Sequence, residues 1–380
     1  MQTYPKFTLP HPNLSIHRKS AVRKMIALAL LLAPAAMAAA QNRSSDAFLP
    51  SPVRVVSTTP TTGPSKGDQN PYGVAFVPNN FQTGAGPLNH GDILVSNWNN
   101  AKNQQGTGTT IMQVTSSSTA NIFFQGKPGL GLGTALGTLQ YGLVIVGNAP
   151  TTDGTFATAK AGSLLVINNE GKLIQTIANG WIKAPWDMTI VDEGDRAIVF
   201  VSNALNGTVS RLDFNVHSSG VSLTGATTIA SGYVHRGDPA AVFVAPTGLV
   251  YDAKRDLLYV ASTGDNAVFA VPNAATTKSD NGAGYIVYQD DTHLHGALAL
   301  AAAPNGHLLV SNSDSVNAVA TQPSEIVEFT RQGDFVKELS VDTPEGSAFG
   351  LAVSASDSQA VFAAVDDNTS SLILWTLNLD

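Results

Sequence analysis

Asparagine and aspartate recur at the ends of short apolar runs in this sequence, and their chemistry asks for explanation first. Asn97 closes "ILVSN", Asn148 closes "GLVIVGN", Asn203 closes "IVFVSN", Asn312 closes "HLLVSN" and Asp366 closes "AVFAAVD". Amide oxygens and carboxylates are hard ligands of the kind Ca²⁺ takes. Asn148, Asp187, Asn203 and Asp366 therefore form one candidate metal set. Were such an ion to activate water, His295 in "THLHG" is the candidate general base. A second set, Asn70, Asn97, Trp98, Trp186, Thr263 and Asn312, reads as ligand-binding, with the two indoles placed to stack on a sugar or a flat ligand. The same asparagines also have a purely structural use. Asn tolerates left-handed backbone and hydrogen-bonds its own turn, so a repeated turn repeats its Asn.

The elements that must position these residues repeat as well. Val-Ser-Asn stands at 95–97, 201–203 and 310–312, and Asn148 falls midway between the first two copies. The period is thus about 50 residues, the length of a long propeller blade. Each unit is a series of short β-branched runs bounded by Gly, Asn, Pro and Ser, such as "PYGVAFVP", "GDILVSNW", "GTTIMQVT" and "ANIFFQG". That is the pattern of an antiparallel meander. The sixth unit, "FGLAVSASDSQ", "AVFAAVDD" and "SLILWTL", ends one strand short, while "VRVVSTT" at 53–59 precedes the first unit and belongs to none. Pairing the two completes the last blade and removes two exposed edges. The expected fold is all-β: a six-bladed β-propeller of four-stranded antiparallel blades, the last closed by the N-terminal strand. In such a meander the start of each first strand and the end of each second strand share an edge. The candidate residues should therefore gather on one face, at the mouth of the channel.

The first forty residues read as a signal peptide: the basic "HRKSAVRK", the apolar "MIALALLLAPAAMA", then "AAAQ" with cleavage after Ala40. Residues 41–51 read as a disordered lead-in and 52–380 as the propeller, secreted or periplasmic. Without the leader the chain holds 16 bases against 28 acids, a net charge of −12. That surface disfavours nucleic acid, and no later run is long enough to enter a membrane. The absence of cysteine excludes thiolate metal sites and thiol nucleophiles. "GKPGLGLGTALG" at 126–137 lacks the Lys-Ser/Thr ending of a phosphate loop and reads as an interblade loop. "YVHRGDPAAVFVAP" at 233–246 is an extra segment at the mouth face, placed to act as a partial lid.

The openings Pro71-Tyr72-Gly73 and Pro246-Thr247-Gly248, with "LLYVASTGDNAVFAV" and "GHLLVSNSDSVNAVA…SEIVEF" after them, resemble the NHL-repeat group of six-bladed propellers. Among its relatives, gluconolactonase-type hydrolases hold a divalent cation in the central channel. That likeness implies Asn148, Asn203 and Asp366 as ligands, although the first blade has no glutamate and the first after the leader is Glu170. Amidating-lyase relatives use a histidine-bound zinc; here six histidines follow the leader, and His293 and His295, two apart, would face opposite ways on a strand. Two functions follow. One is a protein that binds a small-molecule, glycan or protein ligand at the channel mouth. The other is a metal-dependent (Ca or Zn) hydrolase, lactonase or lyase acting in the channel.

Overall fold

The computed structural model describes residues 48, 54–313, 316, 326–342 and 348–379. The leader, most of the lead-in and Asp314 lie outside the described residues. Strands dominate, with one 3₁₀ turn at Phe156–Thr158. No described helix is long and apolar enough to cross a membrane.

Six four-stranded antiparallel sheets follow one another along the chain, each a meander. They occupy residues 69–125, 132–177, 185–230, 246–288, 297–339 and 348–378, numbered here blades 1 to 6. Their first strands are Gln69–Phe76, Leu132–Leu139, Pro185–Asp192, Pro246–Asp252, Ala297–Ala302 and Ala348–Ala355. Each touches the first strand of the next blade, and blade 6 returns to blade 1, so they form the inner ring. Alternating apolar side chains fill the space between neighbouring blades, as in the cluster joining Leu139, Ile145 and Val166 of blade 2 to Val199 and Leu212 of blade 3.

Blade 6 is completed by Arg54–Ser57, paired antiparallel to Ser371–Asn378 with Val55 opposite Ile373 and Ser57 opposite Ser371. Chain closure through the N-terminal strand is therefore present as the missing strand implied. Thr58 continues the pairing by donating its N–H to the Ser370 carbonyl. Upstream, Phe48 is buried against Phe362, and its N–H donates to both oxygens of Glu328, each at 2.9 Å. Glu328 is itself fully buried and holds His307 Nδ1 at 2.6 Å.

At the mouth face, second-strand ends meet first-strand starts: Asn97 opposite Pro71, Asn148 opposite Leu132, Asn203 opposite Pro185, Asn312 opposite Ala297, Asp366 opposite Ala348. Every one of these pairings is followed at once by a register shift in the first strand. Such a bulge leaves an N–H without its ladder partner, and the serine of Val-Ser-Asn takes it. Ser96, Ser202 and Ser311 accept the N–H of Gly73, Asp187 and Ala299, each at 3.0 Å. Ser96 then donates to Gly133 of blade 2 (2.7 Å) and Ser311 to Phe349 of blade 6 (2.8 Å), tying neighbouring inner strands together.

Candidate functional site

The asparagine of each triplet staples the loop that enters its own blade. Asn97 Nδ2 donates to the Thr58 carbonyl, Asn148 Nδ2 to Leu130, Asn203 Nδ2 to Trp181 and Asn312 Nδ2 to His293, at 2.9–3.1 Å. The amide oxygens are engaged too: Asn148 accepts Ser163 Oγ (2.6 Å), Asn203 the Lys183 N–H (2.8 Å) and Asn312 the His295 N–H (2.9 Å). The loop carbonyls are thereby satisfied as the loops dock, which is why the residue recurs in blades 1, 2, 3 and 5.

The remaining members of the candidate sets are also used within the fold. Asp366 accepts the Thr369 N–H and hydroxyl, closing the turn into the last strand. Asp187 accepts the N–H groups of Met188 (2.7 Å) and of Leu249 in the next blade (3.3 Å), and burial pushes its carboxyl up to about 7. Thr263 donates to Ala297 of blade 5. His295 is buried in the turn before blade 5, off any strand. As donors to one calcium ion, Asn148, Asp187, Asn203 and Asp366 fit poorly: their oxygens already accept hydrogen bonds inside three separate blades. Among the described residues, no group of three or more His, Asp or Glu is placed to hold a metal.

Trp98 and Trp186 are buried and pack edge to face, 4.9 Å between ring centres at 86°. Tyr72 lies against both and stacks on Phe349 of blade 6 at 4.2 Å, while Phe243 covers Trp186 at 5.1 Å. Together these rings plug the mouth.

Above the Tyr72–Phe349 pair is a cavity of about 320 Å³ at the seam between blades 6 and 1. Its walls are rich in amides: Gln69 and Asn70 at the start of the first strand, then Asn99, Asn103 and Gln105, and Asn368 beside the carboxyl of Asp367. Asn70, at φ +64°, takes the left-handed conformation that Asn tolerates. With its amide set by the surrounding donors and acceptors, Asn70 Nδ2 donates to the Asp367 carboxylate and its Oδ1 accepts Asn99 Nδ2 at 2.8 Å. Asn99 Nδ2 also reaches Asn103 Oδ1 at 2.7 Å. Of the candidate metal, ligand-binding and catalytic residues named from the sequence, Asn70 alone lines this cavity among the described residues.

The extra segment forms its cover. Arg236–Asp238 and Val242–Val244 make a two-stranded hairpin, and the turn residues Ala240 and Ala241 line the cavity. Gln105 Nε2 holds the turn through the Ala240 carbonyl at 2.7 Å. A tight bend, Phe243 N–H to Ala241 carbonyl at 2.6 Å, puts buried Val242 at φ +59°. For a β-branched residue that backbone is strained, and strain of this kind persists where surrounding contacts over-determine it.

Asp367 is the electrostatic oddity of the site. Burial, reinforced by the charge of Asp366, pushes its carboxyl up to about 8. Unfolded, it would titrate near 3.8, so between those values the folded protein holds the extra proton. Stability contributed through this group therefore falls as pH rises from about 4 to about 8 and is flat above that. Asp367→Asn should flatten the curve and melt above wild type at pH 8 and beyond, with the difference vanishing toward pH 4. Melting curves of the two proteins that stay parallel across this range would remove Asp367 as the cause.

No protein-family model matches the sequence, and no curated protein matches it. Solved structures do. One designated an oxidoreductase (glucose dehydrogenase), from Thermus thermophilus, is 12% identical with a TM-score of 0.50, over 85% of this chain and 99% of that one. In fold, the chain is a six-bladed β-propeller like that one. Others similar to the propeller are the calcium-binding protein regucalcin from Agrobacterium tumefaciens (11% identity, TM-score 0.48, 83% and 92% covered) and a streptogramin B lyase (12%, 0.45, 86% and 98%). At such identities the propeller shares architecture with them, and its function has to be argued from its own site.

Proposed function

We propose that the protein is an exported propeller that binds a small polar ligand in the cavity at the seam of blades 6 and 1, beneath the 236–244 hairpin. The observation that carries this reading is the cavity's lining. Side-chain amides from two blades converge on one aromatic floor, and two of their oxygens, Asn99 Oδ1 and Gln105 Oε1, are buried without a donor. Buried acceptors left unpaired cost roughly 1–3 kcal/mol each, a cost that a ligand drawing these amides toward the cavity would relieve. Export rests on the leader alone, and the secreted chain should begin at Gln41 by mass spectrometry. The catalytic alternative has less support, because the oxygens of its candidate ligands are already committed within their blades.

A thermal-shift screen of the mature protein against small polar solutes tests the binding reading, since a ligand of the folded state raises the melting temperature. Hits should lose their effect in Asn99→Ala and Gln105→Ala, which delete two walls without touching the ring of inner strands. Hits that stabilise both variants as well as wild type would place binding elsewhere.

A further inference from the structure

We infer that this cavity selects an organic cation that donates hydrogen bonds, a primary ammonium on a compact apolar body, held by Asp367, Asn99 and Gln105 over the Tyr72–Phe349 pair. The inference rests on the proposed binding site and adds the chemistry of what enters it.

The donors and acceptors of the cavity do not balance. Asn99 spends its N–H₂ on Asn103, and Gln105 spends its own on the Ala240 carbonyl. The Asn70 N–H₂ is spent on Asp367. What remains is Asn99 Oδ1, on a residue only 1% exposed, and Gln105 Oε1, both buried with no donor. Asp367 becomes a third acceptor once it gives up its proton, and among the described residues no Lys, Arg or His lines the cavity. A ligand that answers three acceptors must bring donors. An ammonium group has three donors and no acceptor. A hydroxyl brings one donor where an ammonium brings three. An anion would face Asp367.

The floor argues the same way. Tyr72 and Phe349, stacked 4.2 Å apart, give the floor an apolar surface for the ligand's body. Calcium takes six to eight oxygens, more than the three acceptors free here. The 320 Å³ of space holds about ten waters at ~30 Å³ each, which suits a ring-sized molecule. The acidic surface of the mature chain would draw cations toward the mouth.

Cyclohexylammonium and cyclohexanol differ in charge at nearly constant shape, and isothermal titration of both into wild type and Asp367→Asn tests the inference. Cyclohexylammonium should bind wild type, cyclohexanol at least tenfold more weakly, and Asp367→Asn should lose at least tenfold for the ammonium. Asp366 and the Tyr72 hydroxyl are the titratable groups facing Asp367. Because the empty site holds a proton on Asp367, ammonium binding should release one, seen as buffer-dependent heats at pH 7 that vanish in Asp367→Asn. A variant melting no lower than wild type excludes misfolding as the cause of the loss. Equal binding of cyclohexanol, or of glucose, with Asp367→Asn unaffected would keep the pocket and overturn its charge preference. Calcium binding through Asp367 with no ammonium binding would replace the organic cation by a metal. No heat with the ammonium overturns the inference outright, while the solute screen still decides whether the cavity binds anything.

Discussion

A chain shortened to begin at residue 59 is expected to lose most of its stability, while one beginning at residue 53 should lose far less. The longer form lacks Phe48 and its bond to Glu328 but keeps Arg54–Ser57 on blade 6. The shorter form strips the last blade to three strands. It uncovers Leu372 and Leu374, which Val56 helps to bury, and leaves Asn97 Nδ2 without the Thr58 carbonyl. Four ladder residues at about 1 kcal/mol per hydrogen bond, with a valine worth about 1.5–3 kcal/mol, come to roughly 5 kcal/mol or more. That equals the lower end of the total stability of a typical protein. The loss also uncovers the edge of Ser371–Asn378, which is then prone to association. Urea unfolding of the two truncations measures the difference. Midpoints that coincide would mean the circle is held by blade-to-blade packing alone.

This closure was legible because it depends on counting. Six units, one of them a strand short, with a spare β-rich run at the other end, admit few solutions, and strand alternation survives without knowledge of any loop. The site was far less legible. Residue type marked Asn97 and Asp366 as candidates, yet Asn99 and Asp367 line the cavity. Asn97 and Asn99 stand two apart on one strand and so share a face, and Asp367 follows the strand that ends at Asp366, so a list of types cannot say which of them the fold itself consumes. "VSNWNN" does contain a usable signal: in four units one Asn is consumed as a loop staple, so an additional Asn beyond it is in surplus. "VDDN" repeats the logic, with Asp366 closing the turn and Asp367 left over. Gln105 and the Ala240–Ala241 turn come from segments outside the repeat, where no periodicity can place them. Trp98 and Trp186 pack into the plug, because an indole at the narrow end of a ring of blades is more useful as filling than as a contact surface.

Gly248→Ala and Gly350→Ala should each cost more than any surface change, for a reason particular to the inner ring. Neither glycine needs a left-handed backbone, so flexibility is not at issue. What matters is the distance to the next strand. A methyl on Gly248 would stand 2.4 Å from the Leu300 nitrogen and 2.6 Å from the Leu298 carbonyl oxygen in blade 5. On Gly350 it would stand 2.0 Å from the Tyr72 carbonyl oxygen in blade 1. These are backbone atoms anchored in their own sheets, so the clash can be relieved only by moving a blade outward. Overpacking typically costs about 1–3 kcal/mol and occasionally more, and a closed ring leaves little room to relax. Gly180→Ala is the control, since nothing lies within 4 Å of its added carbon. Differential scanning calorimetry should show both ring variants melting well below that control; agreement within about 2 °C would mean that the inner strands are not held at the spacing described. The two variants also separate fold from site. Gly350 backs Tyr72, which floors the cavity, so its substitution should weaken ligand binding even where the protein remains folded. Gly248 borders blades 4 and 5, away from the seam, and its substitution should lower the melting temperature while leaving the affinity of the folded fraction unchanged.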